Sequence, residues 1–438
     1  MGMVDDAVLP LPTSAMNGHA RPLAPLDASL LKITRAETLK DVPTPGTYGF
    51  GDIKTDYMLV MEFDAANGWS APEIKPYGPL ALDPASNCLQ YCTNIFEGMK
   101  AFVGSDGKAR MFRAQENMKR LVSSAERMGL PTFDQGALLK CITALVALER
   151  RWIPAEEGHS LYIRPTMIGT KASIRVGKSD SAMLYTLVTP VGPYFPISPS
   201  IPHPTLAGVS LLAISEHVRS WPGGTGGYKL GLNYSPSFVP QGLAADAGYD
   251  QVLWCIDLGR DGSLISEAGA MNFFAVIKNE NDEGVTVRTP PLDGTILPGI
   301  TRDSALRLLQ AHADPASPSP FATSLADGPI TISEEPLTLT ELTRAADAGR
   351  LLEAFGTGTA VLVVAIERIG YYPSPGDAAP HAIDAENAEV ATKARKIMDI
   401  VMQGARKGLG PIGKALYEKL GALKDGREEW LDWSTVCE

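Results

Sequence analysis

The sequence predicts an α+β protein made of two α/β domains joined by a proline-rich loop. Three observations carry that expectation. The chain has 438 residues, too many for one ordinary core. Strand-like runs are interspersed with helical periodicities, without a strict βαβ alternation. Between the halves lies PYFPISPSIPHPT, residues 193–205, with five prolines. Proline fixes φ and removes a donor, so this stretch is no regular element; it is an interdomain linker or a long surface loop. The expected limits are an irregular extension over 1–45, a small α/β domain over 46–196, the interdomain loop over 197–206 and a large domain over 207–438.

The elements follow in order. Residues 1 to about 45 are rich in Pro, Ala and Thr and show no sustained period, which predicts a mostly irregular tail. Met118, Leu121, Ala125 and Met128 recur at helical spacing, predicting a helix over Gln115–Gly129 that Gly129 and Pro131 stop. Leu138, Ile142, Leu145 and Leu148 predict a second, over Gln135–Trp152. Leu161–Ile168 and Met183–Pro190 are apolar or β-branched runs and read as strands. Beyond the prolines, Val209–Ile214, Gln251–Ile256, Phe273–Lys278 and Val361–Ile366 read as strands, and Thr301–Ala311 and Glu386–Gln403 as helices.

Composition narrows the function. Hydrophobic residues make up 45% and charged residues 20%, as in ordinary globular enzymes. A net charge of -11 with no basic run argues against a nucleic-acid partner. The five cysteines are odd in number and scattered, which fits reduced thiols. Cys88 and Cys92 are four apart, but no second Cys or His pair follows at metal-site spacing, so no metal is expected. No apolar run reaches membrane-spanning length. Asp5, Asp6 and the absence of arginine before Arg21 are unlike a transit peptide, so a cytoplasmic protein is expected, with a mitochondrial one left open.

The densest chemical signal is WPGGTGGYKLGLNY, Trp221–Tyr234. Its glycines let backbone approach a ligand closely. Lys229 sits among glycines and aromatics rather than in a charged face. An isolated lysine is usually a solvated surface charge, but one stripped of water offers the neutral amine that imine chemistry needs. In SEAGAMNFF, Glu267 precedes small residues and an apolar strand, so its carboxylate needs a partner. A helix cap or structural ion pair is the plain reading; a carboxylate facing a protonated ring nitrogen is the functional one. Two Gly turns, ILPGITR (Ile296–Arg302) and GTGTA (Gly356–Ala360), could present N–H groups to an anion, and Arg113 could add a charged fork.

Together these pieces resemble the branched-chain aminotransferases, fold-type IV enzymes of pyridoxal 5′-phosphate. The resemblance runs over roughly residues 45–403 and keeps order and spacing through FEGMKAF, MFRAQENMKRL, LYIRP, VGPYFP, GGYKLGLNY, EAGAMNFF, ILPGITR and FGTGTA. It implies that Lys229 is the Schiff-base lysine and proton carrier, that Glu267 partners the pyridine nitrogen and that Tyr234 donates to the ring's 3-oxygen. It implies a phosphate cup of Arg113, Ile300, Thr301 and Thr359. Phe96, Tyr162 and Tyr194 would wall an apolar pocket, and Arg164 would receive the distal carboxylate of glutamate or 2-oxoglutarate. Tyr91 resembles a residue that reaches the neighbouring subunit's site, which implies a homodimer. The implied reaction is reversible, ping-pong transamination of L-branched-chain amino acids with 2-oxoglutarate.

The chain departs from that pattern in three places. Ala270 stands where many members carry a threonine that helps hold the substrate α-carboxylate, which leaves backbone N–H groups of Ala270 and Ala360 for that role. Val361 and Val364 stand where some animal members have a redox cysteine pair, so no thiol switch of that kind is expected. An apparent insertion near 404–425 reads as a solvated helical face. Other fold-type IV activities share the ILPGITR and GTGTA turns: D-amino acid or amine transaminases and aminodeoxychorismate lyase. A catalytically inactive scaffold of this fold would commonly lack one of Lys229, Glu267, Tyr234 and Arg113, and all are present.

Overall fold

The computed structural model describes residues 23–44, 48–156, 158–195, 208–258, 262–281, 283–322, 324–372, 397–402 and 408–438. Strands that are apolar along nearly their whole length set its architecture. Ser160–Gly169 and Ser181–Val191 pair antiparallel from Ser160↔Val191 to Gly169↔Ala182 and are buried almost throughout. They lie inside a ten-stranded sheet. The helices Ala114–Met128 and Gln135–Leu148 cover one face of it, burying Met118, Leu121, Leu138, Ile142 and Leu145 with Leu161 and Ile163. Gly129 takes φ 63°, and its N–H closes the first helix onto the Ala125 and Glu126 carbonyls. The second helix ends at Leu148, short of Trp152, and a 3-10 turn, Arg150–Trp152, follows.

A second sheet has nine strands. Pairing of Leu264–Ala268 with Met271–Lys278 closes a ring that runs on through Leu351–Gly358, Leu362–Tyr371, Gly208–Ile214 and Gln251–Ile256. The period of two divides its side chains. Phe273, Ala275 and Ile277 join Leu211, Leu253 and Ile366 in one core. Phe274 and Val276 turn the other way, under the helices Ile300–Ala313 and Pro411–Lys424. Among the described residues no helix is long and apolar enough to cross a membrane.

Three expectations need correction. Met398–Val401 is a strand, not the end of a helix from Glu386; it pairs antiparallel with Leu362–Tyr371. A short apolar run fits either period, and an open sheet edge decides it; residues 386–396 and 403 lie outside the described residues. The tail, expected to be mostly irregular, carries one short strand: Lys32–Ile33 pairs parallel with Glu73–Pro76, and Leu26 is buried. The segment near 404–425 is more than a solvated face. Its helix, Pro411–Lys424, buries Ile412, Leu416, Leu420 and Leu423. Finally, a large domain over 207–438 does not hold for the last strand: Ser434–Cys437 pairs with Ala109–Phe112 in the first sheet. The stretch 197–206, expected as the interdomain loop, lies outside the described residues.

The two sheets meet through a few polar bridges. The N–H of Phe96 donates to the carbonyl of Lys229 at 3.1 Å. Arg120 Nη1 donates to the Pro298 carbonyl at 2.9 Å and Arg113 Nη1 to Ser304 Oγ at 2.7 Å. Lys100 Nζ donates to the Ala360 carbonyl at 2.7 Å. These four links outline the candidate site.

Candidate active site

The glycines around Lys229 serve close approach. A side chain at Gly226 would run into the Thr295 carbonyl, and one at Gly231 into the Asn94 side chain. This packing seats the lysine against the helix Ala114–Met128, where its backbone N–H donates to Ser124 Oγ at 3.0 Å. Its Nζ lies 3.0 Å from Tyr234 Oη and 4.8 Å from the centre of the Phe96 ring. Burial alone would raise the Tyr234 hydroxyl, but the Lys229 ammonium and the Arg219 guanidinium outweigh it, and the phenol is held below its ordinary range.

Glu267 lies on the strand Leu264–Ala268, only 3% exposed. Its carboxylate is ion-paired with Arg219, and Oε1 accepts the Leu297 N–H at 3.2 Å. Asn272, opposite it in the hairpin register, holds the Leu297 carbonyl at 2.9 Å. Burial raises the Glu267 carboxyl; Arg219 opposes that rise without cancelling it. The structure thus bears out the plain reading, a structural ion pair, and leaves the carboxylate buried among polar partners.

At the other end, Ile300 and Thr301 open the helix Ile300–Ala313, which no side chain caps. Free N–H groups and the positive helix end converge there. Arg113 comes to the same place from the first sheet, in the left-handed region at φ 49°. It is buried, pairs with Asp303 at 2.6 Å, and stacks on Trp433 with its guanidinium carbon 4.6 Å from the ring centre. Thr359 and Ala360 follow in the turn between Leu351–Gly358 and Leu362–Tyr371, which abuts the Gly269–Ala270 turn.

Aromatic side chains gather around Arg164. Arg164 lies 4.6 Å from the Phe96 ring centre, and its Nη2 donates to Tyr162 Oη at 3.1 Å. Phe50 stacks edge-on to Tyr162 at 4.9 Å and to Tyr194 at 5.2 Å, which leaves Tyr194 at the rim, 41% exposed. Tyr91 is not brought to this cluster within the chain. It is exposed, with its hydroxyl on the Ile174 carbonyl.

Sequence reasoning missed several participants. Arg219 carried no local signal, since nothing in HVRSW marks it as the partner of a carboxylate 48 positions on, the gap between 219 and 267. Glu97 lies inside FEGMKAF, where nothing in its neighbours marks a buried carboxylate. It is fully buried, and Arg120 grips it at 2.7 and 2.9 Å with Asn117 at 2.7 Å. Burial opposes the charge on Glu97, yet Arg120 holds the carboxyl below its usual range. Phe50 and Lys100 were likewise unmarked.

An amine beside a phenol, a buried carboxylate whose partner is cationic, and a helix start joined by an arginine suit an aldehyde, a ring nitrogen and a phosphate. The residues present therefore fit pyridoxal 5′-phosphate.

Comparison with known proteins agrees. The family model described as amino-transferase class IV matches residues 94–369. A mitochondrial branched-chain-amino-acid aminotransferase of Schizosaccharomyces pombe is 43% identical over 359 residues, 82% of this chain and 78% of that protein. The cytosolic branched-chain-amino-acid aminotransferase of Saccharomyces cerevisiae is 39% identical over 414 residues, 94% of this chain and 98% of its own. Among solved structures, the Escherichia coli branched-chain amino acid aminotransferase superposes with a TM-score of 0.62 at 20% identity, covering 87% of this chain and 99% of that one. The fold is that of the fold-type IV aminotransferases. On the extent of these matches and the site they enclose, the chain belongs to the class IV aminotransferase family, among the branched-chain-amino-acid aminotransferases.

Proposed function

We propose that this chain moves the amino group of L-leucine, L-isoleucine or L-valine to 2-oxoglutarate, using pyridoxal 5′-phosphate held through Lys229. The observation that carries the reading is Lys229 Nζ, 3.0 Å from Tyr234 Oη and close enough to the buried Glu267 carboxylate to act on its charge. When bound, pyridoxal 5′-phosphate supplies the carbonyl carbon that takes up the amino group and the ring that spreads charge from the substrate α-carbon. Arg113, the N–H groups of Ile300 and Thr301, and Thr359 hold the phosphate. Glu267 meets the ring nitrogen and Tyr234 the ring 3-oxygen. Lys229 Nζ takes a proton from the substrate α-carbon and returns one in the reverse half-reaction.

Specificity follows from the walls. Phe50, Phe96 and Tyr162 shed water on an aliphatic side chain, at about 25 cal/mol per Å² buried. Arg164 receives the distal carboxylate of 2-oxoglutarate, and the Tyr162 hydroxyl steadies it. Tyr194 closes the rim. Ala270 and Ala360 offer backbone N–H groups to the α-carboxylate. Tyr91 serves the partner subunit of a homodimer; the exposed Leu89, Ile174 and Val176 near it support that reading.

The test is an absorption spectrum of the cofactor-loaded protein. A visible band that L-leucine abolishes and 2-oxoglutarate restores is expected, with parallel-line steady-state kinetics. A response to D-leucine alone would make the chain a D-amino acid transaminase. A chain that takes up no pyridoxal 5′-phosphate would be an inactive scaffold.

A further inference from the structure

The hydrogen bond between Lys100 and Ala360 is absorbed by none of the roles above. Lys100 lies on the strand Met99–Val103, in register with Tyr162. The pairing Ala101↔Met111 places Phe112 on its other side. Cross-strand partners share a face, so Lys100 stands in the same row as a wall of the substrate pocket. Met99 and Ala101 turn the opposite way, into the core. From that row Lys100 Nζ reaches across to the Ala360 carbonyl at 2.7 Å.

The charge setting explains why it does so. Lys424, at the end of the helix Pro411–Lys424, is 6% exposed and holds its Nζ 5.4 Å from the Phe112 ring centre. Among the described residues neither lysine pairs with a carboxylate. Burial pushes Lys100 down to about 8, and burial plus repulsion from Lys100 pushes Lys424 down to about 7. With a like charge on one side, the carbonyl dipole of Ala360 is what compensates the Lys100 ammonium.

That carbonyl belongs to a turn that needs holding. Leu362, just beyond it, takes φ 65°, a conformation leucine rarely adopts. Pinning the Ala360 oxygen fixes the plane of the Ala360–Val361 peptide, and with it the ψ of Ala360 on which the direction of the Ala360 N–H depends. The Ala270 carbonyl borders the same turn, being near Gly358, and Ala270 brings no hydroxyl. The cradle is therefore made of backbone whose direction must be set from outside.

We propose that Lys100 is a positioning residue for the substrate α-carboxylate: by holding the Ala360 carbonyl, it fixes the turn whose N–H groups receive that carboxylate. The proposal rests on the reading of Ala270 and Ala360 given above. It predicts a binding defect confined to the carboxylate. In Lys100→Met, the KM for L-leucine and the inhibition constant of 4-methylvalerate, which keeps leucine's side chain and carboxylate but lacks the amine, should each rise about tenfold, the scale of one hydrogen bond to a charged group. The kcat and the affinity for pyridoxal 5′-phosphate should stay within about threefold of the unaltered protein. Lys100→Arg should restore most of the loss. An inhibition constant unmoved in Lys100→Met, or a fall in kcat and cofactor affinity with no rescue by arginine, overturns the proposal. Ala270→Thr separates the two layers, because a hydroxyl restored beside the turn should tighten 4-methylvalerate. If Ala270→Thr tightens it and Lys100→Met has no effect, Lys100 alone is misassigned. If neither moves it, the reading of the turn falls as well.

Discussion

The carboxylate of Glu267 lies against the guanidinium of Arg219, both nearly inaccessible to water, and that guanidinium also sits 5.9 Å from the centre of the Tyr234 ring. One arginine therefore brings positive charge to both residues assigned to the cofactor ring, beside Lys229 at Tyr234. Removing one partner of a buried pair leaves the other uncompensated. Arg219→Met should lower the unfolding free energy of the cofactor-free protein by about 3–5 kcal/mol, read from the urea midpoint, with Arg219→Lys recovering part of it. A midpoint unmoved by Arg219→Met would show that the pair carries little.

Lys229→Ala removes the group assigned to proton transfer. Turnover of L-leucine should fall by at least about a thousandfold, within the range for loss of a general base. The fold should persist, since the Lys229 backbone N–H and carbonyl, which make the links to Ser124 and Phe96, remain. Circular dichroism alongside the rate assay separates loss of chemistry from loss of structure.

Trp433 backs Arg113 twice, with its ring under the guanidinium and its carbonyl accepting the Arg113 N–H at 2.7 Å. Trp433→Leu keeps the carbonyl and deletes the ring. The affinity for pyridoxal 5′-phosphate should weaken by about tenfold, the scale of a partly desolvated cation–π contact. Equilibrium dialysis reads this directly, and unchanged affinity would release Trp433 from any part in the phosphate site.

Glu149 gives a pH dependence. It is buried in the first sheet's core region, Oε1 accepts the Tyr57 N–H at 2.5 Å, and burial pushes its carboxyl up from 4.5 to about 7. The folded state thus holds this proton more tightly than the unfolded chain. Its contribution is fully present below pH 4.5 and is lost as pH rises through about 7. Glu149→Gln keeps an acceptor for Tyr57 and removes the titration. Relative to that variant, the unaltered protein should lose about 3 kcal/mol of stability between pH 4.5 and 8. Parallel urea curves across that interval would remove Glu149 from the pH response.

Much of the site is legible in the chain because its signals are local. Lys229 stands in a glycine cluster, and Glu267 is a charge beside an apolar strand. Ile300 and Thr301 follow a Gly that opens a helix. The helix ending at Met128 and the strand around Ile163 are legible for the same reason, since period and punctuation lie within one segment. What escapes is pairing at a distance. Arg219 is an unremarkable arginine until a loop brings it to Glu267. Lys100 is one more charge in a strand until the Ala360 turn arrives. Met398–Val401 is too short for its period to decide between helix and strand; the edge of Leu362–Tyr371 decides it. Lys424 looks like a solvated charge because its helix period marks the apolar face but not what lies over its end.

The return of Ser434–Cys437 to the first sheet orders events in time. During synthesis, Ala109–Phe112 emerges more than three hundred residues before its outer neighbour, as the contact between Gln115 and Thr435, 320 positions apart, illustrates. Until then the strand is an open edge, a template for wrong partners. Arg113, next along the chain, meanwhile lacks the Trp433 ring and carbonyl. Closing so distant a loop is slow. The newborn chain therefore gains support for Arg113 only after Trp433 has been made, and release before that point leaves a sticky flank and an arginine without its aromatic backing.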